Sequence, residues 1–383
     1  MFRINIRFLI LLILFFVLAY IEGGPLFYRV FYSVVAILLI SIVVIISNRK
    51  NLNLDILFER SRYSAGDLGS FKIVLKNKGW IPVSYLLVNN SAFKKLSSRY
   101  NGDAVYIGSK KSKSLEYQVR FRIRGTYDFS HTDLWFRDTA SIIKSHKVCK
   151  NKVFIQVYPK IIDIPPNLFN GINLFNDYKL SSSGIEDPYA IKDNRKYKAG
   201  DNLNRINWKV SAKYNELYVK NHEVFIGEEF NFFLDMNSGN YQYDINGISE
   251  EQLIDFSASV IHSLTRKAIV SKLYINAANS RVFHVREKRE FAQLMDYLMR
   301  TKSDGKESFT RYLKAFMDTI ITMNNVAFIT SRVDQEFYEF ILDLESRKKN
   351  LFVFYNKVHK EDKENIDKLM NLGVKVVNIS KFI

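Results

Sequence analysis

Two long apolar runs open the chain, and a short polar turn separates them. The first run covers residues 8–21, and the second covers residues 30–47, about the length that spans a bilayer as a helix. Residues 22–25 read Glu-Gly-Gly-Pro and are typical of a turn. The pattern predicts a transmembrane helical hairpin over residues 1–50.

A cleaved signal peptide is the alternative explanation of the first run. A signal peptide needs a small-residue cleavage site and no second span. Residues 19–21 read Ala-Tyr-Ile, which is a poor cleavage site, and the second apolar run is present. The hairpin of two transmembrane helices is therefore preferred.

Positive charge flanks the predicted hairpin at both outer ends. Arg3 and Arg7 precede the first run, Arg49 and Lys50 follow the second, and the turn carries Glu22. Lys and Arg accumulate on the cytoplasmic side of a membrane. The prediction is a cell (inner) membrane protein whose two ends and soluble domains are cytoplasmic.

Short segments that alternate apolar and polar residues follow from residue 53 onward. Turn residues such as those at 65–67, Ala-Gly-Asp, separate them. Strands are predicted at residues 54–58, 71–75, 83–88, 115–123 and 153–158. Several short strands at this spacing indicate a small antiparallel β-sandwich, which we assign to residues 51–160.

In residues 224–383, apolar runs of strand length alternate with helical periodicity. Strands are predicted at 229–234, 272–277, 325–330, 351–355 and 374–379. Helices are predicted at 250–267, with Ser249 as its cap, and at 289–301, 309–320, 335–348 and 363–372. This alternation indicates an α/β domain with a mostly parallel sheet. The predicted fold class is α+β multidomain: the helical hairpin, the β-sandwich and the α/β domain.

Residues 161–223 connect these two domains. They contain a segment rich in lysine and arginine, residues 195–223, which we call the basic stretch. Asp201 follows a glycine and is a good N-cap, so a helix is predicted to begin there. Arg205 lies one turn later, which predicts an i, i+4 ion pair with Asp201. A half-buried strand is predicted from Leu217 onward. The apolar face of the helix, at helical spacing, would consist of Leu203, Ile206 and Val210.

Composition and charge narrow the classes of function. The 383 residues are 47% hydrophobic and 14% aromatic, which argues against disorder. The formal net charge of +17 suits contact with an anionic leaflet or an acidic protein. No nucleic-acid-binding motif accompanies the charge, so nucleic acid is not an expected partner.

Candidate catalytic chemistry is sparse. Cys149 is the only cysteine, which excludes a disulfide framework and a thiolate zinc site. The six histidines show neither HxxxH nor HExxH spacing, and no predicted strand is followed by a nucleotide-binding glycine motif. Ser211 lacks the flanking glycines of a nucleophile elbow. We therefore predict no catalytic residue, no metal and no cofactor.

A set of residues in the basic stretch resembles a family signature. The set is Arg195, Tyr197, Gly200, Asp201, Arg205, Ile206, Trp208, Ser211, Ala212, Leu217, Val219, Lys220 and Glu223. Their types and spacing resemble the bacterial domain of unknown function 58 family. Lys196 and Lys213 depart from the Glu and Arg usual in that signature. Residues 124–129 and 157–159 are similar to two further elements of the family.

The resemblance implies a role for the chain. Family members are often encoded beside MoxR-type AAA+ ATPases, which implies a non-enzymatic, membrane-anchored scaffold or adaptor in protein complex assembly or in the cell envelope. The implied partners are a MoxR-type AAA+ ATPase, membrane lipids and other membrane proteins. The predicted interaction residues are Arg195, Tyr197, Gly200, Asp201, Arg205, Trp208 and Ser211.

Residues 224–383 resemble a von Willebrand factor type A domain. Many relatives carry a metal-binding Asp-x-Ser-x-Ser after the first strand. Asp235 matches that Asp, but Asn237 and Gly239 stand where the serines belong, and Thr330 is followed by serine where an Asp is common. Because Mg²⁺ needs several oxygen ligands, Asp235 is interpreted as a degenerate metal position.

Two other functions stay open. A metal-dependent ligand-binding protein or enzyme would have its site around Asp235. The basic central helix could instead recruit anionic lipid or nucleic acid through Lys209 and Lys213, and such binding would fall steeply with salt.

Overall fold

The computed structural model of this 383-residue chain describes residues 2–97, 100–165, 185–198, 201, 203–225, 229–242, 244, 246–267, 269–346, 350–357 and 361–382. At residues 185–193, 204 and 221–225 the description is of the backbone alone. The chain divides into two compact units. The first comprises Met1–Lys160 with Met295–Arg300, and the second comprises Ile161–Leu294 with Thr301–Ile383.

Two consecutive helices begin the first unit. Strand β1 (Phe2–Ile4) leads into α1 (Ile6–Glu22), and α2 (Pro25–Asn51) follows after two glycines. Gly23 has φ of 64°, a left-handed conformation that ends α1 and that glycine adopts without strain. Pro25 then begins α2, where its missing N–H costs no helical hydrogen bond.

Helix α2 is long and apolar enough to cross a membrane, judged by length and composition. Its 27 residues correspond to about 40 Å at the usual rise of an α-helix. Helix α1 is apolar as well, but its 17 residues correspond to about 26 Å. Phe16 of α1 packs against Phe31 of α2, with ring centroids 5.5 Å apart. The described residues thus contain one candidate membrane helix by this criterion, where the sequence predicts two.

Three sheets and one short helix make up the rest of the first unit. The elements are β2 (Leu52–Phe58), β3 (Arg62–Ser64), β4 (Leu68–Asn77), β5 (Val83–Asn90), α3 (Ser91–Leu96), β6 (Asp103–Ile107), β7 (Ser112–Arg120), β8 (Gly125–Asp128), β9 (His131–Arg137), β10 (Ile143–Lys150) and β11 (Phe154–Tyr158). The antiparallel sheets have the orders β1-β10-β9-β5-β6 and β2-β4-β7. The third, β3-β11-β8, pairs β11 with β3 in parallel.

One apolar core lies between the two antiparallel sheets. Along β4 buried and exposed residues alternate, as expected for a strand with one face in a core. Phe71 of β4 stacks on Phe93 of α3, with ring centroids 3.9 Å apart. The last turns of α2 join the same core through Ile45, which is fully buried. Ser41 of α2 also donates a hydrogen bond from Oγ to Oδ2 of the buried Asp138, at 3.1 Å.

The second unit contains a two-stranded ribbon and a larger sheet. Its elements are β12 (Ile185–Lys196), α4 (Trp208–Tyr214), β13 (Tyr218–Phe225), β14 (Glu229–Asp235), α5 (Ile248–Arg266), β15 (Val270–Asn276), β16 (Arg281–Val285), α6 (Lys288–Arg300, whose last residues belong to the first unit), α7 (Phe309–Lys314), α8 (Met317–Thr322), β17 (Asn325–Thr330), α9 (Gln335–Glu345), β18 (Leu351–Tyr355), α10 (Asp362–Asn371) and β19 (Lys375–Asn378). Short 3₁₀ helices lie at Leu203–Arg205, Ser238–Tyr241 and Ile379–Lys381.

The larger sheet is mostly parallel, which confirms that part of the predicted fold. Its order is β16-β15-β14-β17-β18-β19, and β16 alone among these strands runs antiparallel to its neighbour. Every residue of β17 and β18 is buried, as expected where helices cover both faces. The sequence did not indicate β16, because an edge strand of five residues shows little periodicity of its own.

Two local predictions in residues 224–383 were wrong. The helix predicted over 309–320 is two helices, α7 and α8, because Phe316 leaves helical geometry and packs its ring on Tyr274, with centroids 5.5 Å apart. Ser249 does not cap α5. Asp244 accepts hydrogen bonds at Oδ2 from the backbone N–H groups of Ser249 and Glu250, at 2.8 and 3.1 Å, and so satisfies the first turn.

Candidate functional site

An ion pair closes the loop after β12. Both guanidinium Nη atoms of Arg195 donate to the carboxylate of Asp201, each at 2.7 Å. The backbone N–H of Lys198 donates to the same carboxylate at 2.8 Å. The Arg195 guanidinium and this backbone donor lower the pKa of Asp201 to about 2. Asp201 is therefore a loop anchor and stays ionised at neutral pH.

This geometry corrects two predictions for the basic stretch. The partner of Asp201 is Arg195 and not Arg205, since the chain turns back on β12 instead of continuing as a helix. The α-helix begins at Trp208, with Asn207 as its N-cap, and residues 203–205 form a 3₁₀ turn. Of the predicted apolar face, Ile206 is buried and bridges to Val219, Val210 is half-buried, and Leu203 is exposed.

Ser211 holds the short helix α4 against the ribbon. It is buried, and its Oγ accepts a hydrogen bond from the backbone N–H of Tyr218 at 2.9 Å. Asn207 adds a hydrogen bond from Nδ2 to Oδ1 of Asn194 in β12, at 2.8 Å. These polar side chains are bonded within the segment, so their role is to keep its shape.

The opposite side of α4 is exposed. Trp208 is 68% exposed, and Lys209, Ala212 and Lys213 are exposed as well. Residues four apart lie on the same side of a helix, so Trp208 is beside Ala212, and Lys209 is beside Lys213. We call these four residues the α4 strip. It presents one large aromatic ring and two like charges to solvent.

The other predicted interaction residues lie outside the α4 strip. Tyr197 is half-buried, and its backbone N–H donates to the carbonyl of Leu217 at 2.8 Å. Arg205 is exposed at the end of the 3₁₀ turn. Gly200 lies outside the described residues. The sequence had grouped these residues with Arg195, Asp201, Trp208 and Ser211 without separating those that hold the fold from those that face solvent.

Asp235 is the second candidate site, at the carboxyl end of β14. It is 0% exposed, and three donors surround its carboxylate. Oδ1 accepts from the backbone N–H of Asn237 at 3.0 Å, and Oδ2 accepts from Asn240 Nδ2 at 2.7 Å and from Thr330 Oγ1 at 2.8 Å. Burial outweighs these donors and raises the pKa of Asp235 to about 6.

The position of Asp235 is one where open α/β sheets commonly bind ligands. The chain leaves β14 toward β15 on one side and later adds β17 on the other, so the strand order reverses between β14 and β17. Ligands of such sheets bind outside the carboxyl ends of the strands at this reversal. Asp235 and Thr330 end those two strands, but their oxygens face each other in the interior.

The residues at the former serine positions are engaged elsewhere. Oδ1 of Asn237 accepts from the backbone N–H of Gly239 at 2.7 Å, and its amide donates to the carbonyl of Glu307. Ser238 donates from Oγ to the carbonyl of Gly305 at 3.1 Å. A cation at Asp235 would have to displace the three groups that donate to its carboxylate: the backbone N–H of Asn237, Asn240 Nδ2 and Thr330 Oγ1. In the part of the chain that the structure describes, no three His, Cys, Asp or Glu side chains converge to hold a metal ion.

Sequence reasoning missed Asn240 and Asp244, which satisfy the carboxylate of Asp235 and the start of α5. Asn240 lies in the 3₁₀ helix after β14, and Asp244 follows that helix. Their partners are five and six residues away in the chain, a spacing that matches neither helix nor strand periodicity. His146, three residues before Cys149, pairs with Asp133, with 2.7 Å between Nε2 and Oδ1. Burial raises the pKa of the Cys149 thiol.

Comparison with known proteins finds similarity over the basic stretch and the residues that follow it. The family model described as protein of unknown function DUF58 matches residues 193–350, which include Arg195, the α4 strip and Asp235. The uncharacterized protein YeaD of Bacillus subtilis (strain 168) is 18% identical over 310 residues, covering 77% of this chain and 74% of YeaD.

Solved structures resemble a part of the chain. The CARDB domain of the PF1109 protein from Pyrococcus furiosus is 16% identical and covers 28% of this chain and 91% of its own, with a TM-score of 0.19. A β-glucosidase from Listeria innocua is 11% identical and covers 28% of this chain and 16% of its own, with a TM-score of 0.16. Such low scores carry no argument about fold or function. The chain is thus similar to the DUF58 family over residues 193–350 and, at low identity, to YeaD over a longer segment.

Proposed function

We propose that this protein is a non-enzymatic, membrane-anchored scaffold or adaptor. Its partner would be a MoxR-type AAA+ ATPase, in protein complex assembly or in the cell envelope. The observation that carries the proposal is the α4 strip, an exposed tryptophan beside two lysines on a helix whose buried side is held by Ser211. Tryptophan is enriched among the residues that contribute most to protein interfaces.

Charge points to an acidic surface on the partner. Lys209 and Lys213 are like charges at i, i+4, an arrangement that destabilises a helix slightly unless an anion lies near. The chain as a whole has a formal net charge of +17. An acidic partner would relieve the repulsion along the strip and would be steered toward the chain by its charge.

Membrane anchoring by both α1 and α2 is part of the proposal. Strand β1 precedes α1 and pairs with β10, while α2 runs directly into β2. Both outer ends of the helices thus join sheets of the same unit, which supports a hairpin whose ends lie on one side of the membrane. Tyr20 and Tyr32, near the turn, are exposed, as tyrosines at a membrane interface commonly are. Arg3 and Lys50 favour the cytoplasmic side for the ends.

The α/β part would act as a rigid platform of the von Willebrand type A kind. Asp235, at the position where such domains bind metal, would be held by protein hydrogen bonds instead of a cation. The alternative is a metal-dependent ligand-binding protein or enzyme at Asp235. It is less well supported, because a cation there would compete with three protein donors at a buried carboxylate.

A pull-down from detergent-solubilised membranes in the presence of ATP tests the proposal. Wild type would be compared with Trp208→Ala and with Lys209→Glu/Lys213→Glu. The matched control is Arg311→Glu/Lys314→Glu, which reverses two exposed charges on α7 of the same unit. We expect a MoxR-type ATPase with wild type and the control, and its loss with both strip variants.

Three results would contradict this proposal. Recovery of the ATPase by both strip variants would show that α4 is not the contact. Absence of the ATPase with wild type, or recovery that requires Asp235 and a divalent metal ion, would remove the adaptor and favour the site at Asp235. Asp235→Ala with and without a chelator supplies that second comparison.

A further inference from the structure

Three cationic residues lie side by side across three neighbouring strands of the five-stranded sheet. Arg3 of β1 is opposite Lys144 of β10, and Lys144 is opposite Arg137 of β9. Residues directly opposite each other in a sheet point to the same face. Arg3, Lys144 and Arg137 therefore form one row on one face, which we call the cation row.

The cation row lies on the face turned away from the core. Side chains alternate between the two faces along a strand, and the next residues, Ser145 and Phe136, are each 1% exposed. Arg3 and Lys144 are exposed, and Arg137 is half-buried. Across the described ranges, no Asp or Glu side chain forms an ion pair with any of these three residues.

Such a row is unfavourable by itself. Like charges directly opposite each other destabilise a sheet, and here the opposition occurs twice in succession. An anion placed over the row would remove the repulsion. The same uncompensated charge is what anionic surfaces attract.

The row lies at the start of the apolar helices. The residue after β1, Asn5, donates its backbone N–H to the carbonyl of Ile142 at 2.8 Å, and α1 begins at the next residue. Arg7, in the first turn of α1, is also exposed. The cation row is therefore within a few residues of the point where a membrane-inserted α1 would leave the headgroups.

Two aromatic side chains extend the row. Tyr85 of β5 is opposite Arg137, and the guanidinium carbon of Arg137 lies 4.9 Å from the centre of the Tyr85 ring. Trp135 is two residues before Arg137, on the same face, and is 41% exposed. Tyrosine and tryptophan are the residues that settle at headgroup level in membrane proteins.

We propose that the cation row binds the phosphate of an anionic membrane lipid, with Tyr85 and Trp135 at the headgroup level. The proposal rests on the membrane anchoring in the proposed function, because the row reaches a headgroup only if the helices are in a bilayer. Guanidinium groups suit phosphate because they donate paired hydrogen bonds in a fixed plane. The stacked Tyr85 ring holds Arg137 in place for this contact.

The test uses the full-length protein in detergent, loaded with equal amounts of phosphatidylglycerol and phosphatidylcholine. Native mass spectrometry then counts the lipids that each variant retains. We expect wild type to prefer phosphatidylglycerol and Arg137→Gln/Lys144→Gln to lose that preference by about 30-fold, from two fewer cations at the membrane surface. The matched control is Lys76→Gln/Lys113→Gln, which removes two exposed lysines from the β2-β4-β7 sheet and should retain the preference.

Several results separate this proposal from the anchoring on which it rests. Release of wild type from membranes by alkaline carbonate would refute the anchoring and the lipid site with it. If wild type stays in the membrane, and Arg137→Gln/Lys144→Gln binds as much phosphatidylglycerol as the control Lys76→Gln/Lys113→Gln, the lipid site alone would be overturned.

Two further arms test charge and source. The charge-conserving variant Arg137→Lys/Lys144→Arg should keep the preference for phosphatidylglycerol. Loss of the preference in this variant would show that the Arg137→Gln/Lys144→Gln result reflects altered structure and would overturn the lipid site. Displacement of the lipid by inorganic phosphate at equal concentration would show a site for the free ion and would also overturn the proposal.

Discussion

Asp201 lies in the loop after β12, and Asp235 is the last residue of β14. Both carboxylates have both oxygens hydrogen-bonded, but their pKa values move in opposite directions. At Asp201 the guanidinium of Arg195 lowers the pKa to about 2. At Asp235 three neutral donors fail to compensate for complete burial, and the pKa rises to about 6. A cationic partner near solvent favours the charged carboxylate, whereas desolvation disfavours it. The basic stretch is therefore a charged surface, and the site at Asp235 belongs to the core.

Removing the carboxylate of Asp235 should have the largest effect on stability. Asp235→Ala leaves the donors on Asn237, Asn240 and Thr330 without their acceptor in a buried place, and we expect a loss of about 4 kcal/mol. Hydrogen exchange of the β14 amides in the full-length protein measures it. An unchanged exchange rate would mean that water replaces the carboxylate, and that the site is more open than its burial indicates.

The pH dependence should be the next largest effect. Because the folded pKa of Asp235, about 6, lies above the ordinary aspartate value of 3.8, the folded state binds the proton more tightly. The tighter binding of this proton stabilises the folded state by about 3 kcal/mol below pH 4, and that stabilisation is lost as pH rises from about 4 to 6. Asp201, whose pKa is lowered, contributes with the opposite sign, since its contribution is lost as pH falls below about 4.

The measurement is the exchange-derived stability of β14 at pH 4.5 and pH 7, in wild type and in Asp235→Asn. Asparagine cannot be protonated in this range, so the difference between the two pH values should shrink in the variant. An equal difference in both proteins would assign the pH dependence to other groups.

Ser211→Ala should have an intermediate effect that is confined to the basic stretch. The part-buried backbone N–H of Tyr218 loses its acceptor, which we expect to cost about 1.5 kcal/mol. Exchange should rise at α4 and β13 and stay unchanged at β14. A rise across the whole α/β sheet would contradict the separation between the two regions.

Trp208→Ala should have the smallest effect on stability, within about 0.5 kcal/mol, because the ring is 68% exposed. Its predicted consequence is loss of partner binding at unchanged thermal stability. A large drop in the melting temperature would place Trp208 in an internal interface and remove it from the α4 strip.

Much of the architecture could be predicted from periodicity. The strands of the mostly parallel sheet appear as apolar runs between helices, because burial on both faces leaves no polar position in a strand such as β17. The break between α7 and α8 could not be predicted, because it depends on where Phe316 packs against Tyr274, far away in the chain. The pairing of β1 with β10 was invisible for the same reason, since three residues carry no period.

The candidate sites were predictable in position and less so in detail. Asp235 followed from its place after an apolar strand, and the basic stretch followed from its signature residues. The choice of Arg195 over Arg205 as the partner of Asp201 depended on a chain reversal that local spacing does not encode. The sequence likewise could not show which signature residues face inward, as Ser211 does, and which face solvent, as Trp208 does.

By itself, the sequence determined the apolar α2, the mostly parallel sheet and the family signature, because these depend on residue type and on spacing within one element. The tertiary structure alone decided the partners of Asp201 and Asp235 and the alignment of Arg3, Lys144 and Arg137. The Arg195–Asp201 pair depends on a chain reversal within six residues, and the other features depend on which distant segments meet. Pairing between strands and the burial of a carboxylate result from the whole fold, so no local pattern specifies them.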